Sequence, residues 1–101
     1  MKKERRQAPR EECDCQLSVA VNNRELDANL RNISQGGAFL HIAKKDSGKI
    51  TSIDTGQIIS FRLARDKINI NYSGTINRYI EVNSNKYLAV SFNRQTTEEV
   101  A

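Results

Sequence analysis

The sequence predicts an all-β protein, a small six-stranded antiparallel β-barrel preceded by a basic N-terminal arm. Three observations lead there. Apolar and polar residues alternate in six short runs, the period of a half-buried strand. Clusters of Asn, Ser, Gly and Asp punctuate those runs at short, fairly even spacing. No segment carries the apolar repeat of a long amphipathic helix. Closure of the sheet is favoured because it leaves a small β domain without exposed strand edges.

Residues 1–12 read as the arm. Pro9 removes a backbone donor and pushes Ala8 toward extended geometry, which disfavours helix there. The barrel is expected over residues 13–92. In its first strand Cys13, Cys15, Leu17, Val19 and Val21 share one face. Asn22-Asn23 suits a tight hairpin turn, since Asn tolerates positive φ. Leu26, Ala28 and Leu30 mark a second strand, and Ala38, Leu40 and Ile42 a third, with Phe39 and His41 facing the other way. Residues 43–56 are a polar loop with room for one short helical turn. Ile59, Phe61 and Leu63 mark the fourth strand, and Arg65-Asp66-Lys67 the next turn. Ile68, Ile70, Tyr72 and Ile76 mark the fifth, with Gly74 as a candidate bulge. After Asn83-Ser84-Asn85 comes the last strand, with Leu88, Val90 and Phe92 in register. The polar tail 93–101 is expected to fray or to close with a short helical turn.

Composition narrows the function. With 101 residues, 38% hydrophobic and no tryptophan, the core must be modest and aliphatic. No apolar run approaches the length of a membrane-spanning helix. The basic N-terminus lacks the apolar segment of a secretory signal, so a cytoplasmic location is the expectation. Cys13 and Cys15 read as reduced strand residues, and with His41 alone beside them they fall short of a zinc ligand set. A single histidine and no nucleophile–base pairing leave catalysis without support, so neither an enzyme nor a cofactor is expected. The six aromatics look scattered and mostly inward-facing, which speaks against a stacking platform for single-stranded DNA or RNA.

The charge is concentrated. Residues 1–10 hold five basic residues against Glu4, while the other 91 residues balance 11 basic with 11 acidic ones, so the whole net charge of +4 lies in the arm. Such an arm is either a solvated tail or the contact for an anionic partner. Arg5, Arg6 and Arg10 favour the anion, because guanidinium groups grip phosphates and guanine edges in planar, two-pronged fashion. Further on, Asn32-Ile33-Ser34-Gln35-Gly36-Gly37 forms a polar turn between two strands. Alone it is either turn chemistry or half of a binding site.

Together, Arg6-Gln7-Ala8-Pro9-Arg10 (RxxxR) and Asn32 to Gly37 ((D/N)xSxxG) resemble the PilZ domain family, whose members bind the bacterial second messenger cyclic di-GMP. Gly37-Ala38-Phe39-Leu40 and the closing strand Leu88-Ala89-Val90-Ser91-Phe92 extend the likeness over residues 5–92. The resemblance implies a six-stranded barrel with the arm folded across its mouth and the ligand held between arm and turn. It places Arg6 and Arg10 on phosphates and guanine edges and gives Asn32 and Ser34 hydrogen bonds to guanine or phosphate. Gly36 and Gly37 would allow close backbone approach. Arg5, directly before the motif, accompanies in related domains the binding of two stacked cyclic di-GMP molecules, so a stacked pair is expected here. Asn32 stands where many members carry Asp and brings no negative charge. The implied function is a non-catalytic receptor whose arm orders on binding and signals to a protein partner. A PilZ-like interaction module that binds no nucleotide is the competing reading.

Overall fold

The computed structural model describes residues 11–65 and 67–99, and side chains from Cys15 onward except that of Arg65. Six strands, β1 (Glu11–Val21), β2 (Arg24–Ile33), β3 (Gly37–Ile42), β4 (Ile58–Arg65), β5 (Ile68–Val82) and β6 (Asn85–Glu99), close into an antiparallel barrel in the order β1-β2-β3-β6-β5-β4. Two of the two-residue hairpins have a simple cause. Asn22 and Asn23 (φ 50° and 74°) and Asn83 and Ser84 (φ 51° and 70°) adopt the paired positive φ values of a type I′ turn, whose twist matches that of the flanking strands.

Inward alternation builds the core. Val19, Val21, Leu26, Leu30, Leu40, Ile42, Ile59, Ile76 and Leu88 are essentially inaccessible, and Cys15, Leu17, Ile70, Tyr79 and Phe92 pack against them half-buried. The register of β1 on β2 slips by one residue between Glu12 and Cys15, which interrupts the alternation expected through Cys13. The side chain of Cys13 lies outside the described residues.

One barrel end is sealed. The β3–β4 connection folds into two short 3-10 turns, Lys44–Lys49 and Ser52–Asp54, and drops Ile50 into the barrel with no exposed surface. Two buried carboxylates pin it. Asp46 accepts from the Asp27 backbone N–H (2.8 Å) and pairs with Lys49 (2.9 Å). Asp54 pairs with Arg24 (2.7 Å) and accepts from the Thr51 N–H (2.9 Å), closing a capping box. Lys86 adds bonds to the carbonyls of Ser47 (2.6 Å) and Ile50 (2.9 Å). Among the described residues no helix is long and apolar enough to cross a membrane.

The C-terminal segment departs from expectation. Instead of fraying or coiling, residues 93–99 continue β6, paired with β5 from Ser73↔Arg94 to Ile68↔Glu99. The cross-strand partners Ile68, Ile70 and Tyr72 already belong to a strand, and they give the polar tail a ladder to join. The bulge expected at Gly74 also has a different form. The extra residue is Asn93, on β6 opposite Ser73 and Gly74, and a second bulge falls at Asn77.

Both anchoring carboxylates titrate below the ordinary range. For Asp46 the Asp27 N–H and then Lys49 hold the charged form, against its burial. For Asp54 the Arg24 guanidinium leads, with burial opposing and the Thr51 N–H assisting. A lowered folded-state pKa contributes stability that is present above the unfolded value, about 3.9 for Asp, and is lost as pH falls through the folded one. Thermal melts should therefore show the midpoint dropping as pH goes below about 4. Asp54→Asn should lower the midpoint at neutral pH and weaken that acid dependence; an acid limb identical to wild type would contradict the anchoring role.

Candidate functional site

The opposite end of the barrel holds the β2–β3 turn and the start of β1. Here β2 bulges at Arg31, because Leu30 pairs with Leu40 and Asn32 with Phe39. A bulge re-aims the residues that follow it. Arg31 is left exposed on the outer face, and Asn32 stands half-buried at the turn's edge. The turn is held by the Ser34 N–H on the Gly37 carbonyl (2.9 Å) and by the Phe92 N–H on the Gly36 carbonyl (2.9 Å). The second bond ties it to β6.

The four turn residues expected to bind ligand, Asn32, Ser34, Gly36 and Gly37, line one cleft of about 460 Å³. Ala38, Phe39, Ala89, Val90 and Ser91 complete it. Its size falls within the range of small-molecule sites. Among the described residues no charged side chain appears in this lining. This described lining offers amide, hydroxyl and backbone hydrogen-bonding groups beside mostly small side chains. Arg5, Arg6 and Arg10 lie outside the described residues. Ala89 and Ser91 belong to the closing strand of the family likeness but are not among the residues expected to bind ligand. Their signal was the outward phase of the last strand, where small residues sit directly across from Phe39 and Gly37.

The two glycines turn out to differ. A Cβ on Gly37 would lie 2.2 Å from the Val90 carbonyl oxygen, so this glycine is required by the approach of β3 to β6. A Cβ on Gly36 would meet nothing within 4 Å among the described residues, and its φ lies outside the left-handed region. The backbone therefore makes no demand for glycine at Gly36, although glycine raises the entropy cost of folding. Open space at Gly36 faces the cleft.

The aromatics are less scattered than the sequence suggested. Tyr87 stacks on Phe39 (5.4 Å, 8°) and on His41 (4.8 Å, 25°) across the outer face of β3 and β6. Cross-strand pairing explains it, since His41 opposes Tyr87 and Phe39 sits one diagonal away. His41 also bonds Asn85 Oδ1 (3.2 Å), which gives it a structural place. A second group, Phe61, Tyr72 and Phe92, fills the barrel near the turn. Among the described residues no cluster of three or more His, Cys, Asp or Glu is placed to hold a metal.

The sequence matches the family model of the PilZ domain over residues 4–101, nearly its full length. The chain belongs to the PilZ domain family. No curated protein matches it. Among solved structures it is similar to the Bacillus subtilis inhibitor of motility (MotI/DgrA), with a TM-score of 0.61 and 20% identity. That similarity covers 93% of this chain and 45% of the other, so this PilZ chain spans less than half of that protein, and at this identity the likeness concerns the fold.

The glycine contrast is open to test by thermal denaturation. Gly37→Ala should cost about 2 kcal/mol through backbone overlap, roughly 10 °C in midpoint. Gly36→Ala should stay within about 0.5 kcal/mol of wild type. Equal effects would remove the distinction.

Proposed function

We propose that this PilZ domain is a non-catalytic cytoplasmic receptor for cyclic di-GMP. The dinucleotide lies between the arm arginines and the Asn32–Gly37 turn, and its binding orders the arm as a signal to a protein partner. One observation carries the reading: all four turn residues of the motif line a single cleft at the barrel end where β1 begins, directly after the charged arm.

The covalent geometry supports it. Glu12 pairs with Asn32 across β1 and β2. Arg10 is two residues from Glu12, so no more than about 7 Å of chain separates it from that pair, and Arg6 is within about 20 Å. The chemistry divides accordingly. Ser34 and Asn32 offer short, oriented polar groups, while Arg6 and Arg10 bring charge to phosphates and to the O6 and N7 acceptors of guanine. Charge-assisted bonds contribute roughly 1.5–3 kcal/mol each, so three or four approach the ~8 kcal/mol of micromolar binding before the arm's ordering cost. With Arg5 adding a third guanidinium, the ligand is a stacked pair.

Isothermal titration with cyclic di-GMP tests this. Wild type should saturate at two ligands per chain. Arg6→Ala and Arg10→Ala should each weaken binding by at least about 100-fold, with unchanged melting. Full affinity in Arg10→Ala would overturn the assigned site, and saturation at one ligand would remove the stacked pair.

A further inference from the structure

β6 outruns the barrel. Its pairing with β3 ends at Gly37↔Ser91, and the Phe92 bond to Gly36 is the last link on that side. Beyond it, residues 93–99 keep β5 on one side, while no strand pairs with the other side among the described residues. An edge of this kind is usually blunted by Pro, by charged side chains, Lys above all, or by a bulge. After Asn93 there is no Pro, Lys or further bulge, the register runs evenly from Arg94 to Glu99, and the charges are of both signs: Arg94, Glu98 and Glu99. Thr96 and Thr97 favour the extended chain.

The order of side chains along this edge, Asn93-Arg94-Gln95-Thr96-Thr97-Glu98-Glu99, is self-complementary when read against itself in reverse. Residues directly opposite in an antiparallel pair must point to the same face, so a two-fold axis can pass only through a residue position. An axis at Gln95 sets Arg94 against Thr96. An axis at Thr97 sets Thr96 against Glu98. An axis at Thr96 sets Arg94 against Glu98 twice, Gln95 against Thr97 twice, and Thr96 against itself. Arg94, Thr96 and Glu98 follow the outward phase of the sheet, opposite Ser73, Asn71 and Asn69. Arg94 is exposed, and the contacts that hold Glu98 are long: 3.4 Å from Asn71 Nδ2 and 3.8 Å from Arg62.

We infer that this edge is an interaction surface for a second copy of the chain. Two β6 strands pair antiparallel about Thr96 and join two three-stranded β4-β5-β6 extensions into one six-stranded sheet. Backbone hydrogen bonds supply the attraction, and the Arg94–Glu98 pairs select the register.

Sedimentation of the full chain from micromolar to millimolar concentration tests the proposal. Wild type should move from 11.4 kDa toward twice that mass. Arg94→Glu sets like charges opposite each other at both ends, as does Glu98→Arg, and each should raise the dimer dissociation constant by about tenfold or more. An equimolar mixture of the two variants should recover association, because each acid then meets a base. Circular dichroism matching wild type shows that the variants are folded. A wild type that stays monomeric throughout, single variants that dimerise normally, or a mixture that fails to recover association would each overturn the proposal. A monomer would mean that the edge is covered from within the chain or serves another protein.

Discussion

The passage of β6 between Gly37 and Gly74 is the constraint on which the motif end of this barrel depends. A Cβ at either glycine would sit 2.2 Å from a β6 carbonyl oxygen, that of Val90 on one side and Ser91 on the other. Backbone oxygens in a ladder cannot step aside as a side chain can, so both neighbours of β6 must lack a side chain at that level. This close approach brings Ser91 and Ala89 into the lining of the cleft. It also sets the Phe92 bond that holds the Asn32–Gly37 turn. The glycine next to it, Gly36, is under no such demand, and the two adjacent glycines of the motif thus serve different ends. One closes the sheet, and the other leaves open the space above it.

The two barrel ends are treated in opposite ways. At one, a connection of polar residues is pinned by Asp46, Asp54 and Lys86 and plugs the interior with Ile50. Those ionic groups have nearby partners and form a closed, self-satisfied unit. At the other, half-buried Asn32 and Ser34 line a cleft with no charged side chain among the described residues, and the residues that hold the chain's entire charge surplus directly precede β1, which starts at that end. In the proposed receptor the pocket supplies shape and the arm supplies charge, so binding would depend on ordering the arm.

Much of this was legible in the residues. The six strands, the two I′ hairpins at Asn22-Asn23 and Asn83-Ser84, and the inward set from Val19 to Leu88 follow from period-2 alternation and turn chemistry, both local properties. The motif turn was legible because Asn, Ser and Gly cluster there. What escaped depends on neighbours distant in sequence. The polar stretch Asn93–Glu99 becomes strand through its pairing with β5, and the Phe39–Tyr87–His41 stack arises from the register of β3 on β6. The separate roles of Gly36 and Gly37 need the position of Val90. Bulges at Arg31, Asn77 and Asn93 shift alternation by one residue, and single-residue shifts leave no clear mark in composition.

The central claim is that the cleft beside the Asn32–Gly37 turn is the fixed half of a cyclic dinucleotide site. Backbone amide shifts of the full chain, followed by NMR during addition of cyclic di-GMP, test it most directly. The account predicts the largest saturable shifts in Asn32 through Gly37, Ser91 and Phe92, with the sealed end around Asp46 and Asp54 unmoved. Shifts confined to the sealed end, or no saturable change at the turn, would contradict it.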